Sequence, residues 1–477
     1  MMRGAVQMAV VVVALVAVLV TASTGRRVED LTPADFEITS LPSLNATLNF
    51  KQYSGYMPVG NDSELFFWFV ESQRSPETDP VVWWTNGGPG SSGIAYGFWT
   101  EHGPFRITPD IDVELFDYSW NRIANVIYIE APVGVGYSWT GNASRYHVDD
   151  ATTSWDNYQF LLNFFKVFNQ FSKNDLYITG ESYGGHYVPT LVQRVIDNEN
   201  DLNLKGFLIG NPGINSDWYY NINEYAFQTY LWSHGLLPQD AYMASFEACD
   251  WKDFLTECSK DFTHPSAACQ AANTAAYKYI PSVWDPYSVL APTCHKSADD
   301  LAERDAMVAA NSPFLHHLRL QYNVSTTFDA CLSTYTPKYM NRQDVVEALH
   351  AKQHYNRQYP NHPAEWQYGS ELADIALLFP EFFKKRPDLR ILVVSGDADS
   401  AVPFMGTMRW INCLNMTVEN DWDNWFLNED VAGSYKRWSG LDFMTIKGCG
   451  HTINTYCPEA GYAYYQLWLE QQGPFAK

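Results

Sequence analysis

Six short runs are apolar almost throughout, rich in β-branched and aromatic residues, and closed by glycine, proline or polar residues. They are PVVWWT (80–85), NVIYIEAP (125–132), DLYITG (175–180), KGFLIG (205–210), RILVVSG (390–396) and DFMTIKG (442–448). A strand with one solvated face alternates apolar and polar residues, so runs that are apolar at nearly every position predict strands covered on both faces. Between several of them lie helix-like stretches at 152–171 and 188–199. Strand and helix in alternation predict a mostly parallel α/β sheet flanked by helices, because a parallel pair needs a crossover long enough to be a helix. The alternation stops near Pro212. From 214 to 335 the chain is rich in Tyr, Trp, Ala and Cys without a buried-strand run, which predicts a largely helical cap inserted over the sheet. A helix at 341–350 and the last two strands then resume the pattern. The expected organisation is a leader at 1–24, the first part of the sheet domain at 25–213, the insertion at 214–335 and the second part at 336–477.

With 477 residues, 46% of them hydrophobic, the chain can bury one large core plus an insertion. Its 31 Lys and Arg against 54 Asp and Glu leave a net charge of -23, which repels phosphate backbones and anionic membrane surfaces. No nucleic-acid partner is expected. Arg3, the apolar run from Ala5 to Val20 and the small residues after it have the layout of a secretory signal peptide. That run is shorter than the roughly 20 apolar residues of a membrane span, so no membrane attachment is expected once it is removed. Sequons at Asn45, Asn61, Asn142, Asn323 and Asn415 are glycosylation candidates and predict exposed sites. Eight cysteines in an exported chain imply disulfides, and five of them fall between Cys249 and Cys331, inside the predicted insertion. There is no paired C-x-x-C and no H-E-x-x-H, so neither a metal nor another cofactor is expected.

The chemistry centres on YITGESYGGHYVP (177–189). Gly180-Glu181-Ser182-Tyr183-Gly184 is a G-x-S-x-G between a strand and a helix, the setting in which a tight turn thrusts a nucleophilic serine hydroxyl above the end of a sheet. A serine hydroxyl needs a base, and the base needs a carboxylate to orient it. SGDADSAVP (395–403) follows a later strand with Asp397 and Asp399, and GCGH (448–451) follows the last one with His451. Ser, Asp, His is the chain order of the α/β-hydrolase arrangement. Asp399 is the preferred carboxylate because it stands three residues past the strand-end glycine, in the loop beyond the strand; Asp397 is the alternative, with hydrogen bonding to loop amides as its ordinary role. The oxyanion hole would combine the amide of Tyr183, after the serine, with that of Gly88 in the glycine-rich loop WWTNGGPGSSG (83–93).

These motifs, with EHGP (101–104) and EAPVGVGYSW (130–139), resemble the serine carboxypeptidases in family order over nearly all of the mature chain. The resemblance implies an α/β-hydrolase fold with a helical insertion and release of single residues from peptide or protein C-termini, through an acyl-enzyme and best at acid pH. It implies that the substrate carboxylate is held by Asn86, the amide of Gly87, and the paired Glu181 and Glu101, with Trp84 alongside. Two adjacent carboxyls raise each other's proton affinity, and the protonated one donates a hydrogen bond. It also implies a lysosome-like or vacuole-like acidic compartment, or secretion, and a monomer or homodimer. The chain departs from the family at Ser91 and Gly369, where a pair of bridged cysteines is usual, and at Cys449 and Asn454 around the histidine. The first departure predicts loss of that bridge; the second raises a new bridge involving Cys457 or Cys413. An esterase or acyltransferase on the same machinery is the alternative activity, and a non-catalytic binding glycoprotein the alternative of another kind.

Overall fold

The computed structural model describes residues 27–214, 219–256, 258, 265–280, 285–294, 329–352, 358–369 and 375–476; the expected leader and Asn323 lie outside them. The strands of the main sheet are β1 (Gln52–Gly60), β2 (Ser63–Val70), β3 (Val81–Thr85), β4 (Asn125–Ile129), β5 (Leu176–Glu181), β6 (Leu204–Gly210), β7 (Arg390–Gly396), β8 (Val418–Leu427), β9 (Asp430–Trp438) and β10 (Leu441–Ile446). Their spatial order is β1-β2-β4-β3-β5-β6-β7-β10-β9-β8, and the two-residue strand Trp139–Thr140 pairs with β2. The six central strands, from β4 to β10, pair in parallel, and antiparallel hairpins close both edges. All six expected apolar runs are these central strands. The edge hairpins, 52–70 and 418–438, were not expected.

The central strands read as unbroken apolar runs because each of their faces has its own cover. Successive side chains on a strand point to opposite faces. Trp83, Ile178, Phe207 and Val393 pack on one side with helix α1 (Asp150–Val167), helix α2 (Gly184–Asp197) and the helix Leu378–Lys385. Val82, Trp84, Tyr177, Leu208 and Val394 pack on the other with Phe98, Trp99 and Trp468. Every residue of β3, β4 and β5 is buried. Each large side chain moved out of water here contributes about 1.5–3 kcal/mol, enough in sum to oppose the chain's conformational entropy. α1 begins where Asp149 accepts the Thr152 amide at 2.7 Å while the Thr152 hydroxyl accepts the Asp149 amide, a reciprocal cap.

Between β6 and β7 the described residues form helices α3 (Tyr219–Ser233), α4 (Gln239–Ala248), α5 (Trp251–Thr256) and α6 (Ala267–Tyr277), with no strand before 332. They share a small core of their own that includes Tyr230, Leu237, Tyr242 and Trp251. Disulfides Cys249–Cys269 and Cys294–Cys331 lie within this stretch, and Cys258–Cys413 ties it to the helix Phe404–Cys413. The fourth bridge, Cys449–Cys457, brackets His451 and settles which cysteine partners Cys449. Asn45, Asn61, Asn142 and Asn415 are exposed. Among the described residues no helix is long and apolar enough to cross a membrane.

Candidate active site

Ser182 stands between the end of β5 and the start of α2 with φ 58°, in the left-handed region that non-glycine residues rarely occupy. The turn is held from outside: the Ser182 amide donates to the Gly210 carbonyl, and the amides of Gly185 and Gly213 both donate to the Ser182 carbonyl, each at 2.9 Å. Such over-determination is what keeps a conformation costing of order 1–3 kcal/mol in place. The glycines are required by contact. A methyl on Gly185 would lie 2.3 Å from the Gly213 carbonyl oxygen, and one on Gly87 would lie 2.3 Å from the Tyr183 amide nitrogen. The glycine-rich loop after β3 therefore rests directly against the serine turn. The sequence-predicted Gly88 and Tyr183 are thus neighbours of one turn, and Gly88, at φ 109°, lines the same cavity as Ser182.

β7 and β10, adjacent in the sheet, carry the other two groups to the same end. His451 Nδ1 lies 2.7 Å from Asp399 Oδ2, with both side chains buried. Asp399 Oδ1 accepts the amides of Ala401 at 2.8 Å and Val402 at 3.2 Å, which fixes the carboxylate in its own loop. Asp397 instead accepts the Gly448 amide at 2.5 Å, and burial raises its pKa above the usual carboxylate range. Of the two aspartates, Asp399 is the one on the histidine. A residue not anticipated from sequence locks this region: Asn211, just past β6, donates to the His451 carbonyl at 2.5 Å and accepts the Gly396 amide at 2.9 Å. Its signal was an Asn-Pro-Gly at a strand end, where Asn tolerates the observed φ of 41°.

Beside Ser182 the three other polar residues converge. The Asn86 amide nitrogen donates to Glu101 Oε1 at 2.7 Å and to Glu181 Oε1 at 2.8 Å. Asn86 Oδ1 is in turn fixed by the Trp84 indole at 2.8 Å and the Gly97 amide at 3.0 Å. Glu101 is 0% and Glu181 6% exposed, so neither is a solvated surface charge. Burial pushes the pKa of Glu101 up to about 7, and burial together with the charge of Glu101 pushes that of Glu181 well above the carboxylate range. The buried Glu101 Oε2 has no donor among the described residues other than a protonated Glu181 carboxyl. Two buried carboxyls so placed favour retention of a proton between them. Behind them, Arg106 donates to the Glu101 backbone carbonyl, and burial lowers its own pKa to about 9. Arg106 lies outside every motif and had no sequence signal.

Asn86, Gly87, Gly88, Glu181, Ser182 and His451 line one cavity of about 470 Å³, together with Tyr96, Thr100, Tyr287 and Tyr456. Trp84, Glu101 and Asp399 stand behind that wall. The Tyr183 ring turns away from it, stacking on His186 at 4.3 Å and donating its hydroxyl to Asp150 Oδ1 at 3.2 Å. The site thus combines a serine in a strained turn, a histidine held by a carboxylate and a buried carboxyl pair, with Ser182, His451 and Glu181 facing one cavity.

A serine carboxypeptidase family model matches residues 42–471, which include every one of these residues. Serine carboxypeptidase-like 26 of Oryza sativa subsp. japonica is 32% identical over 453 residues, covering 91% of this chain and 89% of that protein. Serine carboxypeptidase-like 35 of Arabidopsis thaliana is 33% identical over 460 residues, covering 94% and 92%. Among solved structures, a prohormone-processing carboxypeptidase from Saccharomyces cerevisiae superposes with a TM-score of 0.71 at 16% identity, over 92% of this chain and 96% of that one. That last likeness bears on the fold, and it agrees with the α/β-hydrolase architecture expected from the strand order. With the sequence matches running from before β1 to beyond β10, the chain belongs to the serine carboxypeptidase family.

Proposed function

We propose that the protein is an acid serine carboxypeptidase that releases single residues from peptide and protein C-termini. His451 Nε2 takes the Ser182 proton as the oxygen attacks the last peptide carbonyl, Asp399 holds the imidazole through Nδ1, and the amides of Gly88 and Tyr183 receive the oxyanion. The proton then passes from His451 to the departing amine, and water, activated by the same histidine, opens the acyl-enzyme. The observation that carries the exopeptidase reading is the Asn86–Glu101–Glu181 cluster beside the serine. An internal peptide bond offers such a cluster no anion. A C-terminal carboxylate accepts hydrogen bonds from Asn86, the Gly87 amide and the protonated member of the glutamate pair. That donor is lost as the shared proton leaves, so binding weakens as pH rises towards 7 and beyond.

The leader, the exposed Asn45, Asn61, Asn142 and Asn415, and the disulfides support a glycoprotein of the secretory pathway, and the proton-dependent clamp supports an acidic compartment such as a lysosome or vacuole. The test is incubation at pH 5 with a peptide bearing a free C-terminus and with its C-terminal amide, beside Ser182→Ala. Stepwise shortening of the free acid alone, absent in the variant, is expected. Cleavage of a simple ester with both peptides intact would leave the triad standing and turn the reading to acyl transfer.

A further inference from the structure

The glycine turn that carries Gly88 is gripped from behind. Residues 358–369, which follow the insertion, lie flat against it: a methyl on Gly90 would come within 2.7 Å of the Trp366 ring and 2.9 Å of His362 Nε2. His362 Nε2 donates to the Gly90 carbonyl at 2.7 Å, and the Gly90 amide donates to the hydroxyl of Tyr187, on α2, at 3.3 Å. Gly90 is thus held by both of its backbone polar groups. The His362 ring is itself fixed, stacked on Trp366 with centroids 4.1 Å apart and planes 11° from parallel, while the Trp366 indole donates to the Val133 carbonyl at 3.0 Å. Further along the same segment the Tyr368 hydroxyl donates to Asp150 Oδ1 at 2.6 Å, the oxygen that also receives the Tyr183 hydroxyl. Neither 83–93 nor 358–369 contains a cysteine, so this hold is non-covalent.

We propose that His362 is a positioning residue for the oxyanion hole: its bond to the Gly90 carbonyl holds the glycine turn so that the Gly88 amide stays aimed at the carbonyl that Ser182 attacks. The inference rests on the Ser182 chemistry of the proposed function and not on its exopeptidase specificity. A carbonyl only accepts, so His362 carries a proton on Nε2, which both the cationic ring and one neutral tautomer satisfy. The turn needs outside support because glycine leaves the backbone free, and Gly88 and Gly90 both stand at positive φ, 109° and 90°. Within the turn the Ser91 amide donates to the Gly87 carbonyl at 2.9 Å; His362 and Tyr187 anchor it to two other parts of the chain. Such anchoring matters because donors stabilise a developing oxyanion only if they are in place before the reaction. Tyr368 serves the second donor, Tyr183, through the buried Asp150. One short segment therefore supports both donors, and among the described residues that line the cavity none is His362, Trp366 or Tyr368.

The test replaces His362 in the full-length protein by Phe, which keeps a ring on Trp366 but has no donor, and by Gln, whose side-chain amide can offer an N–H at a similar reach. His362→Phe is expected to lower kcat about 10–100-fold for a free-acid peptide and for a simple ester alike, short of the roughly 10²–10³ that deleting a donor costs, with KM within about threefold. His362→Gln is expected to stay within about threefold of the wild type in both. A peptide aldehyde gives a second readout. Ser182 Oγ bonds to its carbon, the serine proton passes to His451, and the carbonyl oxygen takes the electron pair and enters the hole. Its affinity is expected to fall with kcat in His362→Phe and to recover in His362→Gln. His362 is only half-buried, and the melting temperature of each variant is the folding control. Wild-type kcat in His362→Phe, equal losses in the two variants, or a change confined to KM overturns the inference and leaves the carboxypeptidase reading intact. If the protein cleaves the ester but shortens no peptide, a loss in His362→Phe with recovery in His362→Gln still supports the inference, although the carboxypeptidase reading has fallen.

Discussion

The sheet and the segment inserted between β6 and β7 are built by different means. The sheet buries two continuous faces with aromatic and aliphatic side chains, and β1 to β6 contain no cysteine at all. The insertion has a core of a few aromatic residues, carries two internal bridges and is tied by a third to the helix Phe404–Cys413. A layer too thin to bury enough apolar area needs covalent ties, whereas a thick one does not. The candidate site lies where the two meet: its reacting groups stand at strand ends, and Asp285, Tyr287 and the Cys294 region face them across the cavity. The proposed function assigns the reacting groups to the sheet side and leaves the wall that faces them to the tied side.

The sharpest way to break that assignment is at the strand ends. Asp399→Asn is expected to lower kcat about 10⁴-fold with the fold intact, since it leaves His451 in the wrong tautomer. Asp397→Asn, whose carboxylate binds only the Gly448 amide among the described contacts, is expected to cost little; equal losses in the two would refute the choice between them. Gly87→Ala, which drives a methyl to 2.3 Å from the Tyr183 nitrogen, is expected to cost about 10²–10³ in kcat, as removal of an oxyanion donor does, and to lower thermal stability as well, because the backbone of the serine turn must shift. Replacing Cys258 and Cys413 together with Ser opens a link spanning 155 residues and is expected to cost about 2–4 kcal/mol. Hydrogen exchange should place that loss in α3 to α6 and leave β3 to β7 protected; uniform loss would mean the insertion and sheet form one cooperative unit.

The smallest effect concerns pH. Because the folded protein binds the shared proton more tightly than an ordinary carboxylate of pKa 4.5 does, the pair favours folding at low pH and that contribution is lost as pH rises from about 4.5 towards 7. Glu181→Gln leaves one carboxyl hydrogen-bonded to an amide. KM for a free-acid peptide is expected to lose its rise towards pH 7, and stability only the part of its fall that Glu181 contributes, since Glu101 stays buried. Activity abolished at every pH with the profile unmoved would sink the clamp.

What could be read before folding was what the sheet imposes locally. The six parallel strands showed because burial on both faces forces apolar residues at every position, and Ser182, Asp399 and His451 showed because each follows such a strand. The edge strand β8, VENDWDNWFL, hid because it is almost wholly exposed and acidic, a sequence that keeps an open edge from pairing with other chains. The glutamate pair was legible only through its resemblance to a family. Arg106, Asn211 and Asp285 carry no motif: they meet the site from separate elements, and only tertiary packing brings them there.

The placement of cysteine after residue 248 has a consequence for biosynthesis. Synthesis runs from the N-terminus, so β1 to β6 leave the ribosome and can pair before any thiol has been made. Ser182 and its clamp can therefore be assembled by a chain that has had no contact with an oxidase. His451 arrives last, flanked by Cys449 and Cys457, so the reacting set is completed only when the last two thiols are made, and the bridge between them then adds to the hold that Asp399 and Asn211 have on the base.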